Sequence, residues 1–523
     1  MRPSIIVKTM AKRGMFAAGR PSRTIRQLAT LRTWGYGVAG ELRQAAARSP
    51  EAIAVIDQDR GPMTYAELVT ESERVAAVLM ERGVTAEDRI GLLARNHVGA
   101  LAVMAASSAM GSDVVLANTG MSAEQIAVVA EQQEVAVMIY DDDLAGSVAE
   151  LPDHIARISE SELARGVAAH AEPTPLTPPA RGGRTIILTS GTTGTPRGAA
   201  RKTPGGLGPL ISIIERIPLH VEDRILISAP IFHTWGFAAS QLALGMRATI
   251  VLQRRFDPAA ARQALQDHDV NAMFAVPVML QRMLELPSEG EAGSRPALRV
   301  IATSGSSYPA GFATRFMDEY GEVLYNLYGS TEASWVCIAT PENLRTDPQT
   351  AGTPPVGTVV KIIDGNGDPA PTGEVGRIFC GNDLVFDGYT SGQSKEFIDG
   401  MVSTGDMGYE REDGLFFVVG RDDEMIISGG ENVYPMELET LLAEHPAVRE
   451  VAVVGVPDEE FGQRLAAFIA LWEGSSLSAD EVRELVRAQR ARHVIPREVV
   501  FIDELPRNPT GKVLARELRT HFS

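Results

Sequence analysis

The stretch "TIILTSGTTGTPRGAAR", Thr185–Arg201, sets a short apolar run against a run of Ser, Thr and Gly that ends in Pro196 and Arg197. Ile186, Ile187 and Leu188 read as a buried strand, which must end in something. It ends in Ser190, Gly191, Thr192, Thr193 and Gly194. Glycines let the backbone come close to a ligand. Hydroxyls and backbone N–H groups turned into one concavity suit an anion, and Arg197 adds positive charge. An ordinary surface turn has no need of this organisation. A Walker-type loop is excluded, because no Gly-Lys-Ser/Thr follows a glycine and four spacers. The expectation is an anion-binding loop at the carboxyl end of a strand, where helix-covered parallel sheets hold their ligands.

The bounds on the whole chain agree. With 523 residues it is too long for one hydrophobic core, so two or more domains are expected. Its 44% apolar and 22% charged residues fit a soluble globular protein with a large core. A net charge of −18 argues against a nucleic-acid partner, since such binding rests on clustered cations. Cys337 and Cys380 have neither metal nor redox spacing, which points to a reducing, cytoplasmic setting without a disulfide framework. None of the nine histidines forms an HxxxH pair, so no zinc site is expected. No apolar run approaches the roughly 18–20 residues of a membrane span.

The first 40 residues depart from this average. They hold eight Lys or Arg and no acid, which leaves the remainder with 41 basic and 67 acidic residues. In "PSRTIRQLATLRTWGYG", Ile25, Leu28 and Leu31 fall near one helical face, with Arg23, Arg26 and Arg32 around it. Two readings stay open: a short helix docked on its own domain, or a peripheral anchor on anionic lipid. A cleaved targeting peptide is disfavoured for secretion by the lack of an apolar central region.

From about Ala52, strands such as "AIAVID", "RIGLLAR", "RILISAP", "ATIVL", "AMFAVP", "RVIATSG" and "VLYNLYG" alternate with helices such as "TYAELVTESERVAAVLMERG". This order predicts an α/β fold with mainly parallel sheets covered by helices. Beyond residue 350 the Gly-, Pro- and Asp-rich texture predicts hairpins and so a β-rich subdomain. The last hundred residues read as a small α+β domain. The expected divisions are a basic extension over 1–44, a large domain over 45–421 and a mobile domain over 422–523.

Four further segments carry chemistry: "YNLYGSTE" (325–332), "STGDMGY" (403–409), "GRDDEMIISGGENVYPMELE" (420–439) and "LPRNPTGKVLARELR" (505–519). Together with the opening loop, and in this order, they resemble the motifs of the adenylate-forming superfamily: acyl-CoA synthetases, adenylation domains and beetle luciferase. The resemblance covers roughly residues 45 to 520. Fatty acyl-CoA synthetases are the members it is most like.

The resemblance implies ATP-dependent activation of a carboxylic acid. A carboxylate is a poor electrophile, and attack on the α-phosphate of ATP turns it into an acyl-adenylate with a good leaving group. Two anions must meet, so positioning and charge neutralisation are the catalytic task. On this reading Ser190, Gly191, Thr192, Thr193, Gly194 and Arg197 hold phosphates, and Thr331 contacts the phosphate end. Glu332, which alone would read as a solvated carboxylate, helps bind Mg²⁺. Tyr328 offers a ring to adenine, with Asn326, Gly329, Gly305 and Ser306 around the base. Asp406 and Arg421 take the ribose. Lys512, by itself an ordinary exposed lysine, bridges substrate carboxylate and α-phosphate. Asp423 is the hinge, and Gly429 and Gly430 border a tunnel for the thiol of CoA. His233 in "APIFHTWGF", often a core residue when alone, lines the acyl pocket, with Trp235 as its gate or wall.

The chain departs from the pattern in two places. Arg197 stands where a lysine is usual, which keeps charge but changes geometry. In "ATSGSSYPAGF" (302–312), Ser306, Ser307 and Tyr308 replace small or apolar residues that border the acyl group. The expected product is a CoA thioester, with AMP and pyrophosphate released. The expected acid is a medium- or long-chain fatty acid, from the small Ala238, Ala239 and Ser240 after Trp235. An aryl or cinnamate-type acid and a carrier-protein acceptor are the rivals, and a homodimer is left open. A non-catalytic sensor would lack Lys512 or Glu332, and both are present.

Overall fold

The computed structural model describes residues 2–522 apart from 17–19, 171, 173–174, 190–196, 202, 288–296, 310, 429–430, 459–461 and 510. Among these residues, eight strands form one sheet in the order Cys337–Ala339, Leu324–Tyr328, Val300–Ser304, Ala272–Ala275, Arg224–Ile227, Thr249–Leu252, Ile53–Asp57 and Gly61–Thr64. The inner six are parallel, and an antiparallel strand closes each edge. Six strands form a second sheet, in the order Ala156–Ser159, Val135–Tyr140, Arg89–Leu93, Asp113–Leu116, Thr185–Thr189 and Arg197–Arg201. It is parallel except for its last hairpin, which carries the opening loop.

One core fills the space between these sheets. It joins Ile90, Leu92 and Ile139 of the second sheet to Ile225, Ile227 and Ile250 of the first. Helices Val98–Met110 and Thr234–Gly245 lie in it, and their sequences are apolar nearly all round, as burial on every side demands. Polar ends fix the surface helices. In helix Tyr65–Glu81, Thr64 Oγ1 accepts from Glu67 N at 3.2 Å, Glu67 Oε2 accepts from Thr64 N at 2.7 Å, and Gly83 follows at φ 83°. An ion-pair cluster ties the two sheets together. Arg254 follows strand Thr249–Leu252, pairs with Glu160, and lies 3.6 Å from Asp141, which in turn pairs with His97 at 2.8 Å.

The β-rich subdomain is antiparallel, with strands Val359–Ile363, Gly376–Gly381, Phe397–Ile398, Met401–Glu410 and Phe416–Arg421. The C-terminal unit has its own core under strands Ile426–Ser428, Glu431–Val433, Val448–Asp458, Gly462–Leu471 and Glu498–Phe501, with helices Pro435–Ala443 and Ala479–Gln489. Both cysteines are free and buried, and no helix among the described residues is long and apolar enough to cross a membrane.

The N-terminal segment forms helices Pro3–Lys12, Pro21–Trp34 and Val38–Arg48. The third crosses the expected boundary at residue 44 and buries Val38, Leu42 and Ala45 in the shared core. The second lies along the third, with Gln27 donating to Gln44 at 2.5 Å and Arg23 to Glu51 at 2.9 Å. Its Ile25 and Leu28 face outward, 67% and 62% exposed. Arg13, just after the first helix, is buried and donates to the carbonyls of Ile214 at 2.7 Å and Glu215 at 3.1 Å. Arg13→Ala should therefore destabilise the protein by about 1–3 kcal/mol, from two buried acceptors left unmet. A thermal melt checks this, and an unchanged Tm would show that the segment is not part of the fold's support.

Candidate active site

The described part of the site is built at the carboxyl ends of parallel strands, as expected for such sheets. Strand Arg224–Ile227 leads to His233 at the start of helix Thr234–Gly245. Strand Val300–Ser304 leads to Gly305, held at φ 106°, and Ser306. Strand Leu324–Tyr328 leads through Gly329 to Thr331 and Glu332. Gly329 is required there: a Cβ would lie 2.1 Å from the carbonyl oxygen of Ser334. Ser190, Gly191, Thr192, Thr193 and Gly194 lie outside the described residues, as do Gly429 and Gly430.

These ends open into one cavity of about 1050 Å³. His233, Trp235, Gly305, Ser306, Asn326, Tyr328 and Gly329 line it, as do Thr331, Glu332, Arg197, Asp406, Arg421, Asp423 and Lys512. These residues are thus brought to the same space, and of the three small residues after Trp235 only Ala238 lines it, Ala239 and Ser240 being buried away from the cavity. Thr234 and Thr331 hydroxyls touch at 3.0 Å, locking the helix start to the loop before Glu332. Tyr328 donates its hydroxyl to Asp406 Oδ2 at 2.6 Å, and Arg421 donates to Oδ1 at 3.4 Å. Arg421 also donates to Asp423 at 2.9 Å. Trp235 is buried, donates its indole N–H to the carbonyl of Ala275 at 3.1 Å and packs on Phe274, contacts that suit a wall of the cavity.

Lys512 comes from the C-terminal unit. Its loop is a tight hairpin: Asn508 N donates to Lys512 O at 2.9 Å, and Asn508 Oδ1 accepts from Lys512 N at 3.0 Å. Arg507 braces it, bonded to Gly511 O at 2.8 Å and paired with Glu450 at 3.0 Å. The loop seats against the large domain. A Cβ on Gly511 would meet Val278 at 2.8 Å, and one on Gly120 would meet Pro509 at 2.4 Å. Although solvent still reaches part of the Lys512 side chain within the wide cavity, protein surrounds it. Burial and the charge of Arg421 lower its pKa, against the pull of Asp406, Glu332 and Glu424. The same environment acts on neighbours. Burial raises the Asp406 pKa against its bond to Tyr328 and the nearby cations. Burial, then Lys512 and Arg201, pushes His233 down to about 3, so its imidazole is neutral.

Several groups escaped the sequence reading. Tyr389 donates its hydroxyl to Glu332 Oε1 at 2.6 Å, and its ring lies 5.6 Å from the Arg197 guanidinium. Arg201, half-buried near Glu332 and pushed down to about 10, donates to Ser334 at 2.7 Å. Lys395 donates to the Thr404 carbonyl at 3.3 Å and also lines the cavity. Glu332 Oε2 accepts no hydrogen bond among the described residues. An oxygen left open beside Tyr389, whose ring lies against Arg197, would suit a hard cation such as Mg²⁺.

The neutral state of His233 is directly testable. With isotope-labelled histidine, its ring resonances should not move between pH 8 and pH 5, because the site titrates only near 3. A midpoint near 6.5 would mean the ring is hydrated and not packed against the two cations.

Comparison with known proteins agrees with this geometry. The family model for "AMP-binding enzyme" matches residues 42–390, and that for the "AMP-binding enzyme C-terminal domain" matches residues 437–512. A 2-succinylbenzoate–CoA ligase from Geobacillus kaustophilus is 33% identical, with 91% of this chain and 96% of that protein covered. A feruloyl-CoA synthase from an Amycolatopsis species is 31% identical over the same shares. The structure of an o-succinylbenzoate CoA synthetase from Bacillus subtilis, in complex with its acyl-adenylate intermediate, superposes with a TM-score of 0.82 at 28% identity, covering 92% of this chain and 97% of that one. The chain belongs to the AMP-binding enzyme family, and is an AMP-forming acid–thiol ligase of the adenylate-forming superfamily.

Proposed function

We propose that the enzyme activates an elongated carboxylic acid as its adenylate and transfers the acyl group to CoA. The observation that carries this is the meeting of Lys512 with Glu332, Asp406 and His233 in one cavity, which then continues along helix Thr234–Gly245. The acid's carboxylate lies beside His233. Because that ring is neutral, it shapes the pocket without fixing the anion as a salt. Lys512 spans the carboxylate and the α-phosphate and offsets the charge that builds as the new P–O bond forms and pyrophosphate leaves. Asp406 accepts from the ribose hydroxyls while Arg421 holds the carboxylate in place, and Tyr328 and Asn326 flank the base. Arg197 and the loop before it take the outer phosphates. Glu332, held by Tyr389, is the residue to bind Mg²⁺, which when present neutralises phosphate charge.

In the second step the thiolate of CoA attacks the acyl carbonyl and AMP departs. Lys512 has no part in that step, so the C-terminal domain turns about Asp423 and presents the Gly429–Gly430 segment to the thiol. A carrier protein as acceptor is the rival reading. The acid itself is the finest part of the proposal. A medium-chain fatty acid and an aryl acid both suit an elongated pocket, and the names of the two relatives favour the aryl class. The exposed Ile25 and Leu28, with Arg26 and Arg32 beside them, favour peripheral contact with anionic lipid as a second property.

ATP–pyrophosphate exchange with Mg²⁺, run over aliphatic acids from acetate to long chains and over aryl acids, should respond to one class, and CoA should then yield its thioester. Exchange without thioester would assign the acyl group to a carrier protein, and silence with every acid would overturn the reading. Lys512→Ala should cut exchange by about 10²–10³-fold, the cost of losing one donor aimed at transition-state charge. Thioester formation from supplied acyl-adenylate should be largely spared, and equal loss in both steps would refute the two-state account. Vesicles with anionic headgroups should pellet the protein at low salt, and an Ile25→Ser, Leu28→Ser variant should stay in solution.

A further inference from the structure

The far end of the acid pocket holds a carboxyl group that the mechanism does not use. Ala238, Gln241, Leu242 and Gly245 all line the cavity. Their spacing of three, four and seven residues puts them on one face of the helix. From Thr234, beside Thr331, to Gly245 that face runs about 16 Å at 1.5 Å per residue. At its end stands Glu41, from helix Val38–Arg48. A Cβ on Gly245 would lie 3.4 Å from Glu41 Oε2, and Glu41 itself lines the cavity.

Glu41 is only 9% exposed. Its one hydrogen bond among the described residues comes from Gln44 Nε2 to Oε2 at 3.4 Å, which is long. Gln44 is held mainly by other partners, donating to the Leu244 carbonyl at 3.0 Å and accepting from Gln27 at 2.5 Å. Among the described residues no cation stands against the carboxyl, and burial pushes it up to about 8. Other buried carboxylates here are met more fully: Asp113 pairs with Arg181 and Arg184, Glu450 pairs with Arg507, and Asp57 accepts from the backbone N–H groups of Asp59, Arg60 and Val98. A buried carboxyl with one long bond is costly unless a partner arrives. The cavity it faces is where that partner comes from, and Oε1 is an acceptor whether or not the group is protonated.

We infer that Glu41 recognises a hydrogen-bond donor at the far end of the substrate. The acid would be one that carries a hydroxyl, phenol or N–H on the order of 10–15 Å from its carboxylate, the helix span less the side chains at each end. This rests on the proposed acid-activating reading and names its substrate class. A plain alkyl end leaves the carboxyl unmet, and a distal carboxylate can meet it only while Glu41 keeps its proton. Pockets built to bond a polar group discriminate strongly against analogues that lack it.

The test is ATP–pyrophosphate exchange with matched acids: ω-hydroxydecanoate, decanoate and decanedioate, and 5-(4-hydroxyphenyl)pentanoate against 5-phenylpentanoate. The wild type should prefer the hydroxylated member of at least one set by tenfold or more in kcat/KM. Glu41→Gln, which keeps an acceptor oxygen, should retain most of that preference. Glu41→Leu should abolish or reverse it, while exchange with the unsubstituted acid persists or rises. Exchange that favours the unsubstituted acids in the wild type, or a preference untouched in Glu41→Leu, would overturn this inference alone. No exchange with any acid would overturn the acid-activating reading and this one with it.

Discussion

One ammonium group, carried on a separate domain, has to enter a cavity lined by carboxylates. Asp406, Glu332 and Glu424 all act on Lys512, and Arg421 is the cation that opposes it. The acids favour the charged form of the lysine, while burial and Arg421 oppose it. On the proposed reading, an ammonium so placed would meet the entering phosphates without reorganisation. Such preorganised charge is worth more in a dry site than in water. The hairpin braced by Arg507 and Glu450 keeps the lysine at a fixed reach, and the seat on Gly120 and Val278 fixes where that reach ends.

The large domain serves the same end by other means. Its parallel sheets put His233, Ser306 and Glu332 at strand ends, where chain direction changes and the backbone is open to a ligand. The shared core between the sheets, and the Arg254 cluster across them, make those ends rigid relative to one another. The β-rich subdomain adds what the sheets lack. It brings Asp406 and Arg421 in register on adjacent strands, and it brings Tyr389 against Glu332. The cavity is therefore a junction of three separately built units.

Much of this was legible in the chain because the signals are local. Short apolar runs, the Thr64–Glu67 cap and Gly83 set strand and helix positions, and the ordered motifs mark where strands end. The illegible parts depend on long-range packing. Tyr389 sits in a turn-rich stretch 57 residues from Glu332, and nothing local ties them. Arg201 closes the opening stretch without a signal of its own, and its half-buried place near Glu332 comes only from the fold. The neutral state of His233 is set first by burial and then by two cations, one of them on the C-terminal domain. Glu41 follows a basic extension and reads as its first acid, yet helix packing carries it to the end of the acid pocket.

The contact between Pro509 and Gly120 carries a further meaning. It leaves no room for even one methyl group between the domains, so the docked state is selected by shape as well as charge. The surface opposite the lysine hairpin thus has the clearance of a keyhole. If the C-terminal domain turns as proposed, a single side-chain carbon at that point would shorten the stay of the docked form while leaving every reacting group in place. The timing of the two half-reactions would then be set apart from their chemistry.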